Sequence, residues 1–225
     1  MSVVMDPKQA VLFDLDGTLV DTLRDIGAAL NSALARHGLP LHDLDSLRRM
    51  VGWGVRQLVT QAVPASHGDQ GTISALTAEV MDHYTRFPVV HSEPYPGIPE
   101  LLTALRARRI PTAVLTNKPH PLALATVERL FPEHPFEVVL GDRPGVPHKP
   151  DPTAALSICE ALGIAPAQAL FVGDSEVDVQ TAHNAGMACA AVVWGFRGEA
   201  ELRQAGAEVL VQRAEQILEL VAGRK

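Results

Sequence analysis

The stretch Val11-Leu12-Phe13-Asp14-Leu15-Asp16-Gly17-Thr18-Leu19-Val20-Asp21-Thr22 decides how this chain is read. Its first three residues form an apolar run too short for a helical face and bulky enough for a buried strand. Asp14 and Asp16 follow one residue apart, and Gly17-Thr18 turns the chain. A buried strand ending in two carboxylates is costly for stability, and a divalent cation with oxygen ligands is the usual compensation. In open α/β sheets the same end of the strands is where ligands bind. Taken alone, Asp16-Gly17 also fits an ordinary surface turn. A second acidic strand end, far along the chain, weighs against that.

Working outward, Asp21 or Thr22 can cap a helix beginning near Leu23, with Leu23, Ile26, Leu30 and Leu34 at helical spacing. Segments Leu44 to Met50, Val55 to Val63 and Ile73 to Tyr84 are also amphipathic, broken by Gly52-Trp53-Gly54 and by Pro64 to Gly71. Residues 21–87 therefore read as an all-α insertion. From residue 88 strands and helices alternate. Apolar strands are expected at Thr112 to Leu115, Glu137 to Leu140, Ala169 to Val172, Cys189 to Val193 and Glu208 to Val211. Helices are expected between them, and a last one runs to Val221. That alternation predicts a doubly wound parallel sheet, with residues 1–20 and 88–225 as the α/β core.

At 225 residues and 47% hydrophobic, the chain is long enough for one large domain or a core with a smaller partner. A net charge of -7 argues against a nucleic-acid or anionic-membrane footprint. Cys159 and Cys189 lack metal-like spacing and read as buried thiols of a reducing compartment. No basic segment precedes a long apolar one at the N-terminus, and no run reaches membrane-spanning length. A cytoplasmic protein is the expectation. Nothing in the sequence chooses between monomer and homodimer.

Three further polar strings sit where strands should finish. Thr116-Asn117 offers a hydroxyl and backbone N–H groups to a phosphate oxygen, or is an ordinary turn. In His148-Lys149-Pro150-Asp151-Pro152, Asp151 and Pro152 suit a helix start, while Lys149 either neutralises an anion or is solvated. In Gly173-Asp174-Ser175-Glu176-Val177-Asp178, Asp174 follows a buried strand and Asp178 lies one helical turn beyond. A capping role explains one of these acids, not both.

In this order the strings DxDGT, T-N, K-P and GDxxxD resemble the haloacid dehalogenase superfamily, in its phosphatase branch with a helical cap after the first motif. The resemblance covers essentially the whole chain. It implies covalent phosphoryl transfer, with Asp14 as nucleophile and Asp16 as the acid and base. It further implies Mg²⁺ held by Asp14, the main-chain carbonyl of Asp16 and Asp174. Lys149, Thr116 and Asn117 would bind the phosphoryl group, with Asp178 behind them, orienting a metal-bound water or Lys149. The superfamily's dehalogenases lack the second aspartate of DxD, so Asp16 points to phosphate chemistry on a small phosphate ester.

The loop Val51-Gly52-Trp53-Gly54 resembles the cap loop of phosphoglycolate phosphatases, and Trp194-Gly195-Phe196 resembles that branch's ending. Arg49 or Arg56 could pair with a substrate carboxylate, since arginine forks fit carboxylates, although both also read as solvated helix residues. Trp53 either walls the pocket or packs the cap. Within the resemblance, hydrolysis of 2-phosphoglycolate leads. A β-phosphoglucomutase-type sugar phosphomutase or a pyrophosphatase shares the core motifs. A non-catalytic phosphate-binding protein would have no need of Asp14, Asp16, Lys149 and Asp174 together.

Overall fold

The structure is a computed structural model that describes residues 6–134 and 136–223. In chain order it opens with strand β1 (Ala10–Phe13) and the two-residue strand β2 (Val20–Asp21). Helices α1 (Leu23–Arg36), α2 (Leu44–Met50), α3 (Val55–Ala62) and α4 (Gln70–Arg86) follow. The short strand β3 (Glu93–Pro94) leads to α5 (Ile98–Ala107), β4 (Thr112–Pro119), α6 (His120–Leu130) and β5 (Val138–Asp142). Then come α7 (Thr153–Leu162), β6 (Ala169–Gly173), α8 (Glu176–Ala185) and β7 (Ala188–Val192). The chain closes with α9 (Glu199–Gln204), β8 (Val209–Val211) and α10 (Glu215–Val221).

The main sheet has the order β5-β4-β1-β6-β7-β8, with every adjacent pair parallel. Such a sheet is covered on both faces, which is why β1 is buried at every position rather than at alternate ones. The period of two sorts its side chains between the layers. Val11 and Phe13 pack with α5 and α10 residues such as Leu102 and Ile217. Leu12 packs on the other face with Ile158 of α7 and Ala182 of α8. Because the chain builds outward through β4 and β5 and then returns to β6, the sheet's switch point falls beside β1. Asp14 stands at its open end.

Helices α1 to α4 close on a separate apolar cluster that includes Leu30, Leu34, Leu47, Val59 and Leu76. Two features order the places where the chain crosses between them and the sheet. One is the antiparallel pair β2–β3, which the sequence does not announce: two residues are too few for a period, and one of them is Pro94. The other is Asp25 of α1, buried at 4% exposure. Its carboxylate accepts the backbone N–H groups of Val90, His91 and Ser92 at 2.9–3.1 Å and the Ser92 hydroxyl, fixing the segment that returns to the sheet. At the start of α1 it is Asp21, not Thr22, whose side chain accepts a helix N–H, that of Leu23 at 3.3 Å. Strand β4 runs on to Pro119 and carries Thr116, Asn117 and Lys118 inside it rather than in a turn beyond it.

Candidate active site

Strand β1 delivers Asp14 to the switch point, where its Oδ1 lies 3.0 Å from Lys149 Nζ and accepts the Leu15 N–H. Lys149 in turn donates to Asp178 Oδ1 at 2.6 Å and is 2% exposed at its side chain. Asp178, in the first turn of α8, accepts the N–H groups of Asp174 and Ser175 and the Ser175 hydroxyl through Oδ2. Both its oxygens are therefore committed. Asp174 at the end of β6 accepts the Thr18 hydroxyl at 3.1 Å and the Phe196 N–H at 2.7 Å. Gly17 lies beneath it at φ +87°, and a Cβ there would sit 2.3 Å from Asp174 Oδ2. The turn after DxD thus needs glycine both for its backbone and for space.

These charges are expensive to bury. Burial raises the Asp14 carboxyl from its ordinary 3.8 to about 7, with Lys149 opposing the rise and Asp178 and Asp16 adding to it. Burial likewise raises Asp174, reinforced by Asp178 and Asp14. For Lys149, burial alone would lower the ammonium, but Asp14 and Asp178 more than offset it. With all three carboxylates ionised, one ammonium would leave the cluster with an excess of negative charge, which is what the raised Asp14 and Asp174 carboxyls register.

That excess is the test of whether a cation belongs here. Oxygens of Asp14, Asp174 and Asp178 lie within 4.8 Å of one another, and all three residues are buried. An all-carboxylate donor set of this kind suits a hard divalent ion. Asp178 already accepts from four donors, whereas Asp174 accepts from one on each oxygen and both contacts of Asp14 fall on Oδ1, so Asp14 and Asp174 keep the greater capacity to meet it. Asp16 brings no side-chain oxygen to this cluster, which leaves only its main-chain carbonyl for such a role.

The Asp16 side chain instead meets a residue that sequence reasoning missed. Lys118 Nζ lies 2.9 Å from Asp16 Oδ1, with 1% of the lysine side chain exposed. It also donates to the Tyr84 hydroxyl from α4 and sits 4.4 Å from that ring's centroid. Burial pulls the ammonium down, yet Asp16 and Tyr84 hold it above its ordinary value. Burial pushes the Tyr84 hydroxyl up to about 12, against the pull of Lys118.

Thr116 is buried and lines the same cavity as Asp14 and Asp16. The Asn117 side-chain amide, as distinct from the backbone N–H groups expected to meet a phosphate, donates to Gly52 O at 3.0 Å and Lys149 O at 3.1 Å and accepts the Lys149 N–H at 2.9 Å. Asn117 therefore holds the Gly52-Trp53-Gly54 loop and Lys149 in register. Gly52 and Gly54 line the cavity. Trp53 instead donates through Nε1 to Glu176 Oε1 at 3.2 Å, an anchoring contact rather than a pocket wall.

The two arginines weighed as partners for a substrate carboxylate do not line the cavity. Arg56 is exposed and bonded to Ser74 and Gln70 of α4. Arg49 is exposed in a separate surface depression with Arg48, Phe196 and Arg197. Both face solvent, the other reading the sequence allowed, as long cations on short amphipathic helices commonly do.

The cavity over Asp14 and Asp16 is small, about 50 Å³, and opens to solvent. Its floor is Asp14, Asp16, Thr116 and Lys118; Ile26, Val51, Val55, Leu58 and Val80 line it from the helices.

The fold and site define a class, and comparison with known proteins agrees. Residues 11–192 match the family model described as haloacid dehalogenase-like hydrolase. The chain belongs to that family. Within it, the chain is similar to N-acetylmuramic acid 6-phosphate phosphatase of Pseudomonas aeruginosa, at 36% identity over 95% of this chain and 94% of that protein. It is similar also to phosphoglycolate phosphatases of Rhodospirillum rubrum (39% identity, 85% of this chain and 82% of that one) and Aquifex aeolicus (34%, 84% and 86%). Among solved structures, a haloacid dehalogenase-like hydrolase from Streptococcus pneumoniae superposes with a TM-score of 0.84 at 25% identity, covering 94% of this chain and 97% of its own. Among the described residues no helix is long and apolar enough to cross a membrane.

Proposed function

We propose that the protein is a Mg²⁺-dependent phosphatase of small phosphomonoesters, with 2-phosphoglycolate as its substrate. The observation that carries this reading is the pairing at the switch point: Asp14 against Lys149 at 3.0 Å, and Asp16, two residues on, against Lys118 at 2.9 Å. Phosphoglycolate phosphatases recur among the relatives at 34–39% identity, which supports the choice of ester. N-acetylmuramic acid 6-phosphate is the second reading, favoured by a relative that matches 95% of the chain. A cytoplasmic setting goes with the two free cysteines, Cys159 and Cys189.

In this mechanism an Asp14 oxygen attacks phosphorus and the bond from phosphorus to the alcohol oxygen breaks, leaving an aspartyl phosphate. Asp16 gives its proton to the departing alkoxide. A water then attacks the same phosphorus and passes its proton to Asp16, so that phosphate leaves and Asp14 is restored. Lys149 supplies fixed positive charge beside Asp14 and the phosphoryl oxygens, with Asp178 holding its Nζ in place. Thr116 offers its hydroxyl on the same wall. Asp14 and Asp174 would hold Mg²⁺, which supplies further positive charge to the phosphoryl group. The helices over the cavity exclude water. In this reading residues 21–87 act as a cap on a core of residues 1–20 and 88–225.

The test is phosphate release from 2-phosphoglycolate, N-acetylmuramic acid 6-phosphate, pyrophosphate, sugar phosphates and nucleotides, ranked by kcat/KM with Mg²⁺. Preference for 2-phosphoglycolate, abolished by EDTA and restored by Mg²⁺, is expected. A rate untouched by EDTA overturns the metal assignment. A preference for the sugar acid ester moves the substrate to the second reading, and isomerisation of β-glucose 1-phosphate in place of hydrolysis overturns both.

A further inference from the structure

We propose that Lys118 is the group that recognises the leaving alcohol, selecting phosphomonoesters whose alcohol carries a carboxylate one carbon from the ester oxygen. This rests on the phosphatase reading above.

The first argument is one of charge inventory. Of the described residues lining the cavity over Asp14, Lys118 is the only cation. Lys149 is engaged with Asp14 and Asp178, and Arg49 and Arg56 lie elsewhere. The wall formed by the helices is apolar apart from Tyr84 and the backbone of the Gly52 and Gly54 loop. An anionic alcohol entering this space has one place to put its charge. An uncharged polyol would find little on the apolar wall to replace its hydrogen bonds to water.

The second argument is the state of the ammonium. With 1% of its side chain exposed, Lys118 keeps its charge because Asp16 and Tyr84 receive it. An ammonium carries three N–H donors. Those two partners take two of them, so one donor remains for a ligand on the cavity side. The Tyr84 hydroxyl, itself on the cavity wall, steadies Nζ from α4, so the recognition group is completed by the helical insertion lying over the sheet.

The third argument is reach. Asp16 must stand within hydrogen-bond distance of the ester oxygen to protonate it, about 2.7 Å. Lys118 Nζ is 2.9 Å from the same carboxylate. The ester oxygen and Nζ are thus neighbours across Asp16. A carboxylate joined through a single carbon comes back to within about 3 Å of its own ester oxygen, by ordinary bond lengths and angles, and so falls to Lys118. A carboxylate on a longer arm is carried past it toward the apolar helices.

The experiment compares kcat/KM for 2-phosphoglycolate, its uncharged amide 2-phosphoglycolamide, and 3-phosphoglycerate, whose carboxylate is one carbon further out. Wild type, Lys118→Met and Lys118→Arg are assayed on all three. A ratio of two substrates on one preparation does not depend on the fraction that folds, so an unstable variant still reports. Wild type should favour 2-phosphoglycolate over the amide by about 100-fold or more, as a site built around a charged hydrogen bond does. In Lys118→Met that ratio should fall below about 5, with Lys118→Arg between the two. An equal loss on charged and uncharged esters in Lys118→Met overturns the proposal, because Lys118 would then serve the reaction only through Asp16. So does a wild type that turns over all three without preference. A wild type that hydrolyses no phosphate ester overturns the phosphatase reading and this proposal with it, an outcome distinct from hydrolysis without preference.

Discussion

Asp174 Oδ2 accepts the backbone N–H of Phe196 at 2.7 Å, and the next residue, Arg197, is buried with its guanidinium on the helical insertion. Arg197 donates to the main-chain carbonyls of Arg48, Arg49 and Val51 at the C-terminal end of α2, and its Nε lies 2.9 Å from Glu176 Oε2. A helix C-terminus is an acceptor-rich, partly negative end, so a guanidinium is well placed there. Glu176 also takes the Trp53 indole N–H. The adjacent residues Phe196 and Arg197 at the sheet's rim therefore join the carboxylate cluster to the position of the helices above it.

Replacing Arg197 with Met should leave the sheet and the carboxylate cluster folded but loosen the insertion. The three α2 carbonyls lose their shared donor and Glu176 loses its cation, for a destabilisation of about 1–3 kcal/mol. Activity on 2-phosphoglycolate should fall about tenfold or more in kcat/KM, chiefly through KM. Hydrogen exchange should rise over residues 44–54 before it rises in β1 or β6. An unchanged KM with unchanged exchange there would reduce Arg197 to a surface contact.

The raised Asp14 carboxyl sets the sign of a pH effect on stability. A carboxyl near 7 in the folded chain and 3.8 otherwise holds its proton more tightly when folded. Its contribution is present in full below about 4 and is lost as pH rises through about 7. Asp174, raised by burial as well, acts in the same direction. In EDTA the melting temperature should therefore drop between pH 5 and pH 8, by an amount equivalent to about 1–3 kcal/mol. Mg²⁺ should recover it at pH 8, and Asp14→Asn should flatten the slope while abolishing turnover. A metal-free melting temperature that climbs over this interval would contradict the burial argument.

What could be read from the sequence divides along the range of the interactions. Asp14 and Asp174 stand out because each ends an apolar run, Lys149 because it stands just before a helix start, and the doubly wound sheet follows from the strand–helix alternation. Lys118 does not stand out, since a lysine after Thr116-Asn117 looks solvated until Asp16 and Tyr84, 102 and 34 residues away, close around it. The one local hint is that β4 continues through it to Pro119. Arg49 and Arg56 stayed open between two readings for the opposite reason: a charged residue near a plausible loop suggests a contact, but only packing decides which way a helix faces. Arg197 and Asp25 serve long-range backbone partners, and backbone acceptors and donors leave no mark in the sequence.

Asp25 makes the point quantitatively. Its buried carboxylate serves three consecutive N–H groups and one hydroxyl where the chain leaves the insertion for β3. Asp25→Ala strips all of them of their acceptor in a largely dry site, at a cost of about 2–4 kcal/mol. Asp25→Asn keeps the shape and one acceptor oxygen and should cost about half as much. Thermal melts of the two variants would show the ranking. Equal melting temperatures for wild type and Asp25→Ala would mean that β2–β3 pairing alone secures the return segment.

Asp16→Asn tests the acid role against the Lys118 contact. Asparagine keeps an oxygen for the Lys118 ammonium but has no proton to give an alkoxide. Turnover of 2-phosphoglycolate, a poor leaving group, should fall by about 10²–10⁴-fold. An aryl ester such as p-nitrophenyl phosphate, whose phenolate departs without protonation, should lose far less in formation of the aspartyl phosphate. That step is measured as the burst of p-nitrophenol in rapid mixing. The later attack of water still needs Asp16 as base, so the variant should accumulate phosphorylated Asp14 and show a burst followed by slow turnover. Equal slowing of the burst for aryl and alkyl esters would remove Asp16 as the acid. It would leave Asp16 as the counter-ion of Lys118 and as the base of the later water step.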